Sequence, residues 1–342
     1  DGGVVLASDG TVLDVGTRAE VRGRHGPLIE EHVDAVLMPG LVDAHTHLAL
    51  GLTDAVPGGR GLVAWAGDVV AAAGKLSPDE RRESATRAAL DAVERGTAAV
   101  GEVANSLDAV SALDHAGLRG VVFHELLGSR DARTGDALAD AAAEHEHVRR
   151  SAGWPEGVAY VPAPHAPYSV SPDLFRRIFA AAAEACLPTS VHLAEDPDEI
   201  ALLHDGTGAW PNVLARLGVP DGERTPHMAP VAYLESLGAF GGPRPPLLVH
   251  MVHASDDDLS RARRHGATVV LCPRSNRHIG GHLPNVRAMR AHGLAIALGT
   301  DSRASSPDHA LWGEMAILAT AFADLPPSIW LRAATLGGAE GL

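Results

Sequence analysis

Cysteine is nearly absent: Cys186 and Cys272 are the two in 342 residues. That excludes a disulfide framework and a thiolate-built zinc or iron–sulfur centre, and a reducing, cytoplasmic compartment is the expectation. Lysine is scarcer still, occurring once as Lys75, so arginine carries the rest of the positive charge and lysine is removed from almost every catalytic role. Acidic residues outnumber basic ones by 43 to 28, a formal charge of −15. This is the wrong sign for a surface that grips phosphate backbones, so nucleic acid is not an expected partner. No run reaches the roughly 18 uninterrupted apolar residues of a membrane span, so a membrane is not expected either. An initiator Met, a basic leader and an apolar signal core are also missing from the start. The expectation is no targeting peptide, with a few residues preceding Asp1 in the full protein.

What is there is 46% hydrophobic, enough for a large core over a length that suits one α/β barrel with a small domain attached. Residues 1–38 read as the N-terminal part of a small, incomplete β-sandwich, opening with two apolar runs around Asp9-Gly10, a dipeptide that favours a type I′ hairpin. From there short apolar runs alternate with Ala- and Arg-rich helical stretches. The predicted strands are Leu41–His47, Ala98–Val103, Gly120–His124, Val158–Pro164, Thr189–Leu193, Pro246–His250, Ala267–Cys272 and Ala295–Thr300. Helices are expected at Pro78–Arg95, Asp136–Arg150, Pro172–Ala185 and Asp256–Arg264, several opened by Ser-Pro or Ser-Asp. Eight βα units in succession predict a (β/α)₈ TIM barrel over 39–342. The Pro- and Gly-rich stretch 196–245 reads as a lid-like insertion, in preference to a passive one, because it follows the fifth barrel strand.

Active sites of such barrels gather at the carboxyl ends of the strands. The first strand ends Asp43-Ala44-His45-Thr46-His47, and a period of two points His45 and His47 the same way, which is half of a metal site or two loop histidines. A second His-x-His, His145-Glu146-His147, lies in a helical stretch where residues two apart diverge, and is expected to face solvent. His192 ends the fifth strand with Glu195 just beyond it, and Asp301 ends the eighth. Three His and one Asp suit a divalent ion with room for water. His250, at the end of the sixth strand, is either a further ligand or a group that orients the water; His253 is read as a packing or loop residue. Pro164-His165-Ala166-Pro167-Tyr168 is a rigid turn after the fourth strand, in which His165 is structural or binds substrate. There is no His-Glu-x-x-His, since His124-Glu125-Leu126-Leu127-Gly128 lacks the second histidine, and no Gly-x-Ser-x-Gly or Walker sequence. Gly59-Arg60-Gly61-Leu62-Val63-Ala64 imitates a dinucleotide fingerprint without a preceding strand and reads as a loop. The Pro-Cys-x-x-Cys of cytidine-type deaminases is absent.

In order along the chain, Pro39-Gly40-Leu41-Val42-Asp43-Ala44-His45-Thr46-His47-Leu48, Pro164-His165-Ala166-Pro167-Tyr168, His192-Leu193-Ala194-Glu195, Val249-His250, Cys272-Pro273-Arg274-Ser275-Asn276 and Leu298-Gly299-Thr300-Asp301-Ser302 resemble the amidohydrolase superfamily. Within it the chain looks like the mononuclear aminohydrolases, the branch of the methylthioadenosine and adenosylhomocysteine deaminases, guanine deaminase and the triazine chlorohydrolases. The likeness is greatest to the aminodeoxyfutalosine deaminases of an alternative route to menaquinone. That resemblance implies one divalent ion, zinc or Fe²⁺ in its place, held by His45, His47, His192 and Asp301. The lysine that bridges two ions in binuclear members is unavailable, because Lys75 lies between the first two barrel strands.

The resemblance further implies hydrolytic deamination of an adenine nucleoside, 6-aminodeoxyfutalosine being the first expectation. Asp301 takes a proton, Glu195 protonates the ring nitrogen, and His250 steadies the water and the tetrahedral intermediate. His165, Tyr168, Trp65, Ser302 and Arg274 are expected to bind substrate, and Arg277, Arg303 or Arg216 are further candidates for a carboxylate tail. A ribose-binding glutamate found after the first strand in related nucleoside deaminases is missing here, with Asp68 as its nearest substitute. Deamination or dechlorination of another purine, pyrimidine or triazine ring is the alternative, and an inactive binding or scaffold barrel the remote one. The expected partner is a small-molecule substrate; self-association into a homo-oligomer is left open.

Overall fold

A computed structural model describes residues 2–52, 54–128, 136–216 and 225–342. The chain divides into two compact units, Asp1–Pro39 and Gly40–Leu342. In the first, β1 (Gly2–Leu6) and β2 (Val12–Thr17) pair antiparallel, with Val4 opposite Val15. The turn is longer than the expected two residues: Gly10 N–H donates to Ala7 C=O, and Gly10 itself takes φ +85°, a conformation glycine adopts without a Cβ penalty. A helix, Arg18–His25, follows behind a Thr17/Glu20 capping box. Among the described residues of this unit, the hairpin is the one sheet.

The second unit is the (β/α)₈ barrel. Its strands are β3 (Leu41–Thr46), β4 (Thr97–Ala104), β5 (Arg119–Leu126), β6 (Val158–Pro164), β7 (Ser190–Leu193), β8 (Leu247–His250), β9 (Thr268–Leu271) and β10 (Ala295–Leu298). They form two parallel runs, β3-β4-β5-β6 and β7-β8-β9-β10. Main-chain bonds join the runs at both seams. His192 N–H donates to His165 C=O at 2.9 Å, while Asp301 N–H donates to His45 C=O at 3.0 Å and His47 N–H to Asp301 C=O at 3.3 Å. A parallel sheet buried on both faces needs continuous apolar strands, and one cluster accordingly runs through Ala44, Val103, Phe123, Val161, Val249, Val270 and Ala297, one residue from each of seven strands. Leu174, Phe175 and Ile178 of the helix Pro172–Ala185 pack against Val191 and Leu193. Ser77, Ser171 and Ser255 cap the helices Pro78–Glu94, Pro172–Ala185 and Asp256–Arg264.

β3, β9 and β10 end one or two residues earlier than expected, β4 and β5 run one and two residues further, and sharp turns mark the mouth of the barrel. Ala194, His250, Met251 and Asp301 all have positive φ, between 50° and 74°. Such residues cost on the order of 1–3 kcal/mol each and cluster at functional sites. Here they turn the chain sharply at the ends of β7, β8 and β10. Two segments read as loops are helical. Leu62, Val63 and Ala64 open the helix Leu62–Ala73. The described part of 196–245 holds the helices Pro197–Asp205, Trp210–Arg216 and Pro230–Ser236, while 217–224 of the expected lid lie outside the described residues.

Candidate active site

The carboxyl ends of the strands surround a cavity of about 1150 Å³. At its floor, His45 Nε2 and His47 Nε2 are 3.2 Å apart and His47 Nε2 is 3.5 Å from Asp301 Oδ1. His192 Nδ1 lies 3.1 Å from His250 Nε2, and the rings of His45 and His192 are 4.8 Å apart between centroids. A tetrahedron with bonds of roughly 2.0–2.1 Å has edges of roughly 3.3 Å, so the His45–His47 and His47–Asp301 separations are those of ligands around one ion. The donor set therefore fits a divalent cation.

Charge supports the same reading. Burial, reinforced by His192, His47 and His250, holds His45 well below the usual histidine range, and burial also lowers His47. Both imidazoles are thus in the neutral form that ligates. Burial raises Asp301, but His47, His250 and the Ser275 hydroxyl outweigh it and keep the carboxyl below its usual range. Burial would also lower His192, yet the Glu125 carboxylate, with Oε1 3.2 Å from His192 Nε2, carries it up to about 9. A cation bound at Nδ1, on the His250 side, would take the place of the proton there and leave Nε2 turned to Glu125.

The side chains behind these groups set their aim. Asp43, two residues before His45, accepts from Thr300 N–H at 3.0 Å and from Thr300 Oγ1 at 2.6 Å, which fixes the end of β10 against β3. Ser275 and Ser305 hydroxyls donate to Asp301 Oδ2. Glu102 accepts from Leu48 and Ala49 N–H groups at 3.0 and 2.8 Å, holding the chain just past His47. Asn276 Nδ2 donates to His250 Nδ1 at 2.9 Å, and His250 Nε2 is 3.5 Å from Glu195 Oε2. Glu199 accepts from the Ala194 and Glu195 N–H groups, shaping the loop that presents Glu195. Burial pushes Glu195 up to about 8, with Asp301 and Glu199 adding to the shift against His192. A carboxyl so placed is protonated at neutral pH and can donate.

Around this floor the structure brings together most of the residues expected from the sequence. Trp65, His165, Tyr168 and Ser302 line the cavity with His47, His192, Glu195, His250 and Asp301. Tyr168 stacks on Trp210 at 3.8 Å and 14°, the Ser302 hydroxyl is buried without a partner, and His165 Nδ1 is bonded to Ser169 Oγ at 2.6 Å. Arg274 does not join them. Its guanidinium is engaged by the fully buried Glu314, by Asp308 and by the Asp308 and Ala310 carbonyls, so all three of its nitrogens are bonded inside the protein. Arg277 is exposed, and Asp68 pairs with Arg60 away from the cavity. His145 stacks on Tyr160 at 3.8 Å instead of facing solvent; its neighbour His147 is exposed.

Three cavity residues escaped the sequence reading. Glu125 was seen there as half of a failed His-Glu-x-x-His, although its position at a strand's carboxyl end is the signal that should have counted. Asn105, just past β4, and Arg81, on the helix Pro78–Glu94, also line the cavity. Neither sits in a motif.

Comparison with known proteins adds the following. Residues 36–342 match the model of the Amidohydrolase family. An aminodeoxyfutalosine deaminase of Deinococcus radiodurans is 33% identical, the match covering 98% of this chain and 80% of the relative. A 5-methylthioadenosine/S-adenosylhomocysteine deaminase of Nitratidesulfovibrio vulgaris is 31% identical over 99% of this chain and 74% of the relative. Among solved structures, a Xanthomonas campestris adenosine deaminase with bound zinc superposes with a TM-score of 0.77 at 28% identity, covering 100% of this chain and 75% of that one. The Helicobacter pylori aminofutalosine deaminase shares the fold with a TM-score of 0.87 at 24% identity, covering 100% and 83%.

Proposed function

The chain belongs to the amidohydrolase family and is a metal-dependent hydrolase of carbon–nitrogen bonds; from that premise we propose that it deaminates a 5′-substituted adenine nucleoside, 6-aminodeoxyfutalosine first, with one zinc ion held by His45, His47, His192 and Asp301. The observation that carries the reading is the convergence of these four donors with Glu195 and His250 on the floor of one cavity. When bound, the ion supplies Lewis acidity that makes water nucleophilic near neutral pH.

The protein's own groups do the rest. Asp301 accepts a proton from the attacking water, and His250, oriented by Asn276, steadies the oxygen that adds to the ring carbon. Glu195 protonates the adjacent ring nitrogen and then helps deliver a proton to the departing ammonia. Trp65 and the Tyr168–Trp210 stack form the aromatic wall of the cavity. At about 1150 Å³, the space slightly exceeds the ~300–1,000 Å³ usual for small-molecule sites, which favours a substituted nucleoside over a free base. Val69, Val70, Ala73, Leu202 and Leu214 supply an apolar chamber, and Arg81 and Arg216 on the same cavity suit an anionic end of the substituent.

The test is ammonia release by zinc-loaded protein on aminodeoxyfutalosine, methylthioadenosine, adenosylhomocysteine, adenosine, guanine and cytosine. A preference for 5′-substituted adenine nucleosides is the expected result. Ammonia from none of them, with the metal in place, refutes the nucleoside assignment.

A further inference from the structure

One buried carboxylate in the cavity takes no part in the proton transfers above. Glu125, the penultimate residue of β5, is 5% exposed. Asn105 Nδ2 donates to its Oε2 at 2.8 Å and to its main-chain carbonyl at 3.4 Å, so the carboxylate is clamped from one side by an amide that also lines the cavity. His192 separates it from the reacting end, with Nε2 3.2 Å from Glu125 Oε1 and Nδ1 3.1 Å from His250 Nε2. His165, whose Nδ1 is taken by Ser169, belongs to the same tight group as Glu125 and His192.

A carboxylate accepts about four hydrogen bonds and donates none. Held at a fixed angle in a water-poor wall, it is complementary to a ligand that presents O–H or N–H donors. The base reacts beside His250 and Glu195, so the part of a nucleoside on the Glu125 side of His192 is the sugar. A cis-diol offers two donors on adjacent carbons, the bidentate complement of one carboxylate. The helix Leu62–Ala73 contributes Trp65, Val69, Val70 and Ala73 to the cavity wall, none of which carries a side-chain acceptor.

We propose that Glu125, clamped by Asn105 and flanked by His165, receives the ribose hydroxyls of the substrate and sets the preference for ribonucleosides over deoxynucleosides. This rests on the nucleoside reading above. Because the interaction is the same in ground and transition states, its loss appears in KM with kcat little changed.

The experiment compares methylthioadenosine with its 2′-deoxy and 3′-deoxy analogues on the zinc-loaded wild type and on Glu125→Gln, with metal content measured on both. The wild type is expected to lose about 10- to 100-fold in kcat/KM on removal of one hydroxyl, the scale of a hydrogen bond to a charged group. Glu125→Gln is expected to lose a similar factor on the ribonucleoside and little on the deoxy analogues, with one equivalent of metal retained. A wild type indifferent to the hydroxyls overturns the proposal without any variant having to fold. So do equal losses by Glu125→Gln on all three substrates, and so does loss of metal from that variant, which would make Glu125 a support of the metal site through His192. Ammonia from none of the three, nor from the wider panel, would sink the nucleoside reading itself and this inference with it.

Discussion

His45-Thr46-His47 and His145-Glu146-His147 are the same three-residue pattern in two kinds of backbone. On β3 the period of two sends both imidazoles to one side, and their Nε2 atoms meet at 3.2 Å above the barrel floor. On the helix Ala137–Ser151 the same spacing sends His145 onto the Tyr160 ring and His147 into solvent. A motif acquires chemistry from the geometry that carries it: a strand end can aim two neighbours at one ion, and a helix surface needs a spacing of three or four.

The comparison can be broken most directly by removing histidines from each pair. His45→Ala or His47→Ala is expected to strip the metal and abolish ammonia release, read by elemental analysis and a coupled assay. His145→Ala and His147→Ala should each keep one equivalent and full turnover; metal loss from either would undo the distinction. Next in size, Glu195→Gln should retain metal while kcat falls about 10²–10⁴-fold, the usual worth of a positioned acid. Full activity in that variant would remove Glu195 from the proton path.

Arg274→Ala sharpens the contrast between a cavity residue and one buried behind it. It leaves Glu314, 0% exposed, without its cation, and breaking a buried pair in this way costs about 3–5 kcal/mol. Thermal unfolding should show the loss, while KM of the remaining folded enzyme stays near that of the wild type; a raised KM with unchanged Tm would return Arg274 to the substrate. The smallest effect separates the two helical histidines. His145→Ala should cost about 0.5–1.5 kcal/mol through its lost stack on Tyr160, and His147→Ala less than ~0.5 kcal/mol, both measurable by denaturant titration.

Much of the fold was legible because the barrel repeats a local signal. All eight barrel strands carry short apolar runs, and the helices Pro172–Ala185 and Asp256–Arg264 begin and end where Ser-Pro and Ser-Asp starts put them. The helices within 196–245 were less legible. They are short, and Pro197, Pro211 and Pro230 read as loop residues although each stands in the first turn of a helix, where a missing N–H is tolerated. In the site, His45, His47, His192, Glu195, His250 and Asp301 announced themselves as reactive residues at strand ends. Glu125 stood in an equivalent position but lacked a motif, and Arg274 stood in a motif but turned toward Glu314.

The sequence by itself determined the barrel strands, their order and most of the reactive residues at the strand ends, since periodicity, caps and apolar runs are properties of neighbours in the chain. Tertiary structure alone decided which of those residues meet. Thr300 reaches Asp43 across 257 positions, and His192 faces Glu125 on one side and His250 on the other, only because a closed parallel barrel brings the ends of distant strands to one rim. The count of βα units predicts that closure, but local pattern does not say which side chains it brings into contact at the rim. The division of arginines, histidines and carboxylates between cavity and scaffold depends on it.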